Sequence, residues 1–593
     1  MKRILSLIAA VVFCQSAFAA TQSIWAVNDG EKIERDDQNN RNEKSNSVWD
    51  GRKIKIFAAR NEIVAFQIVV EADAKGIERL SVRLPELARA GGGGRVRYVA
   101  PAADPTDYVG RRIQLFAVHY MNVTAASRAD WIFKKNTLAA PLDPTGWKPV
   151  QLVPENAKAG RGGFPLRVAP NENQAVWIEI YTPRDLKAGT YRGDVAVTAD
   201  GVKKSIPLEL EVFDFELPDE NSMSAMIYFE SKQPELYMGR NLDASFHRFA
   251  HRQRVEFVHA YTIEAANAAR ARFTGEAFTQ ANKYEGPGEG VGNRVIPRSF
   301  YGPGAEFDEA ESARRASDEW MTYLERNFPR AITFLYMPDE PAPAEYPRIR
   351  KIADNVHSNP GPGSKLPIFV TKKYVKELDG AIDIWDSGPE GFDIERAAAE
   401  RAKGRRHWIY NGGRPAGGAI TIDSPATDAR ATVWACFKHD VDVYFYWHGV
   451  HWQHNRQKQG ERNQNVWANP ITFDNRGQPN KPVLDQGFIN GDGVLVYPGR
   501  DALHPAEDRG IDGPVSTVQL ANFRRGLQDH QYLSLARRLG LQSEVEAALR
   551  QIVPKVFSDA DDRVSFPENG DAYENARRRL AEAIARRLKK GGS

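Results

Sequence analysis

Cysteine is almost missing from this chain: 593 residues contain two. Cys14 falls within the first twenty residues, and Cys436 lies in a helical pattern, so no disulfide is expected to tie distant segments together. Stability must then come from large apolar cores. An excess of one charge is missing too. The 80 Lys and Arg nearly balance 77 Asp and Glu, for a net charge of +3, and Lys2 and Arg3 sit at the extreme N-terminus. Nothing in that balance favours nucleic acid or an anionic membrane as the main partner. After residue 20 no apolar run nears the ~18 residues of a spanning helix, so no membrane insertion is expected. No repeat of fixed period is present. Gly-x-Ser-x-Gly, His-Glu-x-x-His and Walker patterns are also absent, which argues against a serine-hydrolase elbow, a zincin site and a phosphate loop. No cofactor is expected.

What is present begins with a leader. Residues 1–20 have a positive start (Lys2, Arg3), an apolar stretch from Ile4 to Phe13, and Ala17-Phe18-Ala19 as a small-x-small cleavage site. The protein is expected to be exported, to a periplasm or out of the cell. The chain is too long for one core, so several domains are expected.

Residues 21–218 read as β. Lys53 to Phe57 alternates, Ile63 to Val70 is a longer apolar run, and Asp200-Gly201 between alternating runs is a hairpin signal. Short strands broken by Gly, Pro and Asp predict a β-sandwich. Over residues 219–540 short strands alternate with helices. Strands are expected at Ala225–Phe229, Val255–Tyr261, Ile332–Tyr336, Pro367–Val370, Ile382–Trp385, His407–Tyr410 and Val441–Trp447, with an eighth near Val295–Phe300. That pattern predicts a (β/α)₈ barrel of the TIM type. Residues 541–593 form a C-terminal helical segment, and Tyr573–Lys590 reads as a solvated helix with cations at its end. The fold class is multidomain β and α/β.

One stretch carries the best candidate chemistry. Ile332-Thr333-Phe334-Leu335-Tyr336 is a buried strand that runs into Met337-Pro338-Asp339-Glu340-Pro341. Pro338 ends the ladder, and Pro341 disfavours a helical Glu340, which predicts an extended backbone there. Residues at such a strand end face the active site of a parallel barrel. Two adjacent carboxylates in a partly dry pocket divide their labour, one ionised and one with a raised pKa.

Other strand ends collect groups suited to a sugar. Trp385-Asp386, Tyr410-Asn411 and Trp447-His448 each follow an apolar run. Indole and phenol faces can cover the C–H faces of a pyranose, while Asp, Asn and His bind hydroxyls. Two rivals have weaker support. His448, His451 and His454 have a metal-like spacing, but Gly449 and the preceding strand point to a loop, so no metal is expected. The Gly-rich loop from Glu285 to Asn293 could rim the pocket, which makes Glu285 or Glu289 the second candidate for an acid.

The chain resembles glycoside hydrolase family 123. The resemblance rests on Ala59-Arg60-Asn61-Glu62 with Phe66-Gln67, Ala188-Gly189-Thr190-Tyr191 and Phe215-Glu216-Leu217-Pro218. It continues with Tyr336-Met337-Pro338-Asp339-Glu340-Pro341, Asn490-Gly491-Asp492-Gly493 through Gly499, and Arg524-Arg525-Gly526-Leu527-Gln528-Asp529-His530-Gln531-Tyr532. It implies a retaining β-N-acetylgalactosaminidase in which the substrate's own acetamide is the nucleophile. Carried over, Glu340 is the acid/base and Asp339 orients and charges the acetamide; Trp385, Asp386, Tyr410, Asn411, Trp447 and His448 are expected to bind the sugar. The partner is a glycan. Two alternatives stay open: a glycosidase for another sugar with the same pair, and a non-catalytic carbohydrate-binding protein.

Overall fold

The computed structural model describes residues 21–454, 462–477 and 486–591; the expected leader lies outside them. Two sheets dominate the N-terminal part. One runs in the order Thr21–Asn28, Glu62–Ala72, Asn173–Thr182, Ile113–Val123, Gly146–Pro154, then Pro514–Thr517 and Tyr497–Pro498. The other runs Ile54–Arg60, Val202–Glu216, Gly189–Ala199, Ile77–Arg83, Leu166–Val168. Asp200-Gly201 makes the tight turn between Gly189–Ala199 and Val202–Glu216, with positive φ at both residues. The last two strands of the first sheet come from near the end of the chain. Sequence order therefore does not separate the sandwich from the C-terminal part of the protein.

Strand Glu62–Ala72 is buried along its whole length, which explains its continuous apolar run. One reason is the helix Val518–Arg538, which reaches it from Gln528 Nε2 to the Ile63 carbonyl at 3.0 Å. This helix is buried nearly all round despite Arg524, Arg525, Gln528 and Asp529. Arg525 pairs with Glu62 and Glu574 at 3.0 Å each, and Arg430 pairs with Asp529 and Glu574. Buried charges survive only when mutually paired, and removing one partner typically costs about 3–5 kcal/mol. Gly526 lets this helix approach helix Asp428–Lys438; a Cβ there would stand 3.0 Å from Val433 and 3.1 Å from the Arg430 backbone. The helix Gly570–Gly591 is not solvated all round as its composition suggests. Tyr573, Glu574, Arg577, Leu580 and Ile584 are buried in the same core.

The middle of the chain is a curled parallel sheet. Its order is Glu256–Val258, Ser224–Tyr228, Val443–Tyr446, Arg406–Tyr410, Ile384–Ser387, Ile368–Thr371, Leu335–Tyr336. All seven expected strands are there. The expected eighth is reduced to a single bridge, Val295 to Ile332, followed by Arg298 N–H to the Phe334 carbonyl at 3.0 Å. On the other edge Tyr261 N–H reaches the Pro297 carbonyl, and Glu256 accepts from the Arg294 and Val295 N–H groups at 2.8 Å. Pro297 cannot donate to a ladder, which accounts for the weak strand. Between Ile368–Thr371 and Ile384–Ser387 only a 3₁₀ turn stands where a regular unit has a helix. Phe334, Tyr336, Phe369, Trp408, Val443 and Phe445 fill the inside of the curl. A second cluster, with Leu335, Val370 and Trp385, lies between the sheet and its outer helices.

Candidate active site

All strands of the curled sheet run the same way, so their C-terminal ends open at one mouth. Asp339 and Glu340 follow strand Leu335–Tyr336 at this mouth, and both are exposed. Glu340 is not extended as expected. Its φ is +43°, a left-handed value that a non-glycine residue adopts at a cost of about 1–3 kcal/mol. The following proline favours the extended region, so the contacts around Glu340 hold it in the left-handed one against that preference.

Hydroxyls hold that geometry. Thr371 ends the neighbouring strand; its Oγ1 accepts the Glu340 N–H at 3.0 Å and donates to Asp339 Oδ1 at 2.9 Å. The Tyr336 hydroxyl donates to the same Oδ1 at 2.9 Å. Two donors on one oxygen fix the plane of the Asp339 carboxylate. Across the mouth the Tyr410 hydroxyl donates to Glu340 Oε1 at 2.7 Å. Burial first, and then the Glu340 charge, push the Tyr410 phenol well above its ordinary range, so it stays a donor.

Asn411 has a φ of +55° and accepts the Trp447 N–H on its Oδ1 at 3.1 Å. Trp447 is half-buried, with its indole N–H on Asp492 Oδ1 at 2.9 Å; the Tyr446 hydroxyl donates to the same oxygen at 3.1 Å. Burial pushes the Asp492 carboxyl up to about 6 against those bonds. Asp339, Glu340, Tyr410, Asn411 and Trp447 thus share one mouth.

Two expected sugar ligands, Trp385 and His448, do not join them, and a third, Asp386, lies buried beside the pair, next to Thr371 across the ladder. Trp385 is fully buried on the outer side of the sheet, its ring 5.2 Å from Tyr374. Alternation along Ile384-Trp385-Asp386 turns Trp385 away from the interior. Asp386 is fully buried, with both carboxyl oxygens lacking a hydrogen-bond partner. Burial, then the nearby Asp339 charge, push its carboxyl well above the usual range. His448 is buried under the mouth, edge-on to Tyr228, and burial drives its imidazole well below the usual range, so it is neutral.

The rival acids are at the other end of the sheet. The loop from Glu285 to Asn293 packs on residues that precede strands: Gly288 N–H meets Asp219 Oδ1 at 2.9 Å, and His251 Nε2 lies 2.8 Å from the Gly288 carbonyl. Glu285 accepts from Gly110 N–H at 2.7 Å and Arg112 Nε at 3.0 Å. It binds the sandwich, and the loop does not rim the mouth. Among the described residues no group of three or more His, Cys, Asp or Glu is placed to hold a metal ion.

Sequence reasoning passed over Thr371, the hydroxyl role of Tyr336, and Tyr301. Tyr301 is 37% exposed, has a φ of +56°, and donates its hydroxyl to the Trp447 carbonyl at 2.7 Å. Its ring lies 5.4 Å from that of Tyr336. Its signal was an aromatic followed by Gly-Pro-Gly after the weak eighth strand.

Residues 320–536 match the family model described as "Glycoside hydrolase 123, catalytic domain". The matched stretch includes Asp339, Glu340, Thr371, Tyr410, Asn411, Trp447 and Asp492. A family 123 glycoside hydrolase from Clostridium perfringens, solved in a study of glycolipid glycan hydrolysis, has a similar fold. It is 13% identical, with a TM-score of 0.62 over 96% of this chain and 100% of that one. At that identity the likeness concerns the fold alone. A Parabacteroides merdae β-glucuronidase is 10% identical, with a TM-score of 0.22 over 65% of this chain and 45% of that one, and carries no argument. No curated protein matches.

Proposed function

We propose that the protein is an exported retaining glycoside hydrolase that removes a β-linked N-acetylhexosamine, N-acetylgalactosamine by the family resemblance, through substrate-assisted catalysis. In this reading the curled sheet acts as a (β/α)₈ barrel closed through residues 294–298. One observation carries the mechanism: Asp339 and Glu340 are adjacent, at one mouth, with the Asp339 carboxylate fixed by Tyr336 and Thr371. Their attachment points are only ~3.8 Å apart along the chain. A retaining pair with a protein nucleophile straddles the bond with carboxyls ~5–5.5 Å apart. Neighbouring carboxylates instead suit one side of the sugar. Glu340 donates its proton to the glycosidic oxygen as that bond to the anomeric carbon breaks. The acetamide carbonyl oxygen forms the new bond, and Asp339 accepts the acetamide N–H and balances the positive oxazolinium. Water then attacks the same carbon as its bond to the acetamide oxygen breaks and the neutral acetamide is restored, Glu340 takes the water's proton, and two inversions give retention.

The test is a pair of substrates and one inhibitor. Aryl β-N-acetylhexosaminides should turn over, the matching plain galactoside should be inert, and a thiazoline analogue should inhibit competitively. Efficient galactoside hydrolysis, or a trapped glycosyl ester on a carboxylate, overturns the mechanism in favour of a glycosidase for another sugar. The glycolipid glycans named for the Clostridium perfringens enzyme are the first natural substrates to try.

A further inference from the structure

The connection between strands Ile113–Val123 and Gly146–Pro154 of the sandwich is residues 124–145. Loops beyond ~12–15 residues without secondary structure are uncommon in compact domains and are usually functional. This one leaves the sandwich and is stitched to the mouth at two places. Arg128 pairs with Phe488 through backbone bonds of 2.8 and 3.1 Å. Phe133 bridges Arg414, with Arg414 N–H on the Ile132 carbonyl at 2.8 Å and Lys134 N–H on the Arg414 carbonyl at 3.1 Å. Ser127 adds a bond from its Oγ to Asp423 Oδ1 at 2.9 Å. Gly413 admits the loop, since a Cβ there would come within 2.5 Å of the Trp131 carbonyl.

Between these two anchors stands Trp131, 39% exposed while its neighbours Ala129 and Ile132 are buried. A backbone fixed on both sides presents a large apolar ring to solvent. That ring is not isolated. Its centroid is 6.2 Å from Phe473, and Phe473 is 5.8 Å from Trp447, with near-perpendicular planes at both steps. Trp447 is tied to Asn411, whose neighbour Tyr410 holds Glu340. An aromatic row therefore leads from the acid to the sandwich, each step on the scale of one monosaccharide.

We infer that Trp131, Phe473 and Trp447 form an extended subsite for the leaving-group saccharide, and that the sandwich supplies its outer wall. This rests on the proposed function, removal of one β-linked sugar: with that sugar at Asp339 and Glu340, the rest of the glycan must leave along some wall of the mouth. An apolar row of rings packed edge to face offers C–H-binding surfaces in successive orientations to linked pyranoses and makes no demand on charge.

The experiment measures calorimetric binding to Glu340→Gln, whose turnover of these poor-leaving-group ligands should be slowed by ~10²–10⁴, with product checked after each titration. Each ligand pair is a methyl β-glycoside and a trisaccharide with the same terminal sugar, with N-acetylgalactosamine, N-acetylglucosamine and galactose as terminal sugars. The trisaccharide should bind more tightly than the methyl glycoside. Adding Trp131→Ala should lower that ratio about tenfold, the size of a 1.4 kcal/mol contact, and Trp131→Phe should restore most of it. A ratio unchanged by Trp131→Ala, or a trisaccharide bound no better than its methyl glycoside, overturns the inference. A preference for galactose over the acetamido sugars strikes the proposed function instead and leaves the ratio readable.

Discussion

Both ends of the parallel sheet carry acids, and they are held in different ways. At the N-terminal end Glu285 pairs with Arg112, Glu220 with Arg330 and Asp219 with Arg184. At the C-terminal end Asp339 is held by the hydroxyls of Tyr336 and Thr371, and Glu340 by that of Tyr410. A guanidinium neutralises a carboxylate and makes it a fastener between elements. A hydroxyl fixes its direction without supplying a compensating charge, so the group can still exchange a proton. The strained φ of Glu340 is found at the second end, as expected where a side chain is held for chemistry. The number of acids in a loop therefore says less than what holds them.

The largest effect should separate the two ends directly. Glu340→Gln should lower kcat on substrates with poor leaving groups by ~10²–10⁴ and leave the melting temperature nearly unchanged. Glu285→Gln should do the reverse: kcat holds, and chemical denaturation shows a loss of about 1.5–3 kcal/mol for its charged hydrogen bonds. If Glu285→Gln abolished turnover and Glu340→Gln did not, the two ends would have been assigned the wrong way round.

A smaller effect should sharpen the role of the hydroxyls. Thr371→Val keeps the shape, leaves the Glu340 N–H without its acceptor, and removes one donor from Asp339. Misplacing a reacting group by about 1 Å can cost ~10² in rate, so kcat should fall by up to that factor, with about 1–3 kcal/mol of stability lost. Steady-state kinetics and urea melts read both. Full activity in this variant would mean that the pair keeps its geometry without the strand beside it.

A further effect concerns pH. Asp492 has its carboxyl raised to about 6 in the fold. The fold thus binds this proton more tightly than the unfolded chain does. The favourable contribution is complete below the unfolded value near 4 and is lost as pH rises through about 6. Relative to Asp492→Asn, the parent should lose roughly 2–3 kcal/mol between pH 4 and 7. Paired denaturation curves across that range check it, and parallel curves would show that Asp492 titrates normally.

Much of the fold was legible because strands and helices announce themselves by apolar run length and breaks. The pair at 339 and 340 was legible because two prolines fence it after such a run. The expected sugar wall was less so. Trp385 and Trp447 each follow or end an apolar run, yet one is buried outside the sheet and the other lines the mouth. Both faces of a curled parallel sheet are covered, so both read as apolar, and sequence alternation cannot tell inside from outside. Asp386 and His448 sit near strand ends as expected, but one layer too deep. Thr371 and Tyr336 read as ordinary strand residues, since nothing in a lone hydroxyl shows which carboxylate it will meet.

The sequence by itself determined the local elements: where strands begin, where Pro338 stops one of them, and that an acidic pair lies at its end. These depend on interactions between residues near in sequence. Only the tertiary structure decided the rest. It brought Thr371 and Tyr410 to the pair, sent the Gly-rich loop to the opposite end, and buried the Arg-rich helix Val518–Arg538 among acids from distant segments. It also carried Trp131 from the sandwich to Phe473. Each of these is a contact between residues far apart in the chain, and its geometry comes from how whole layers pack.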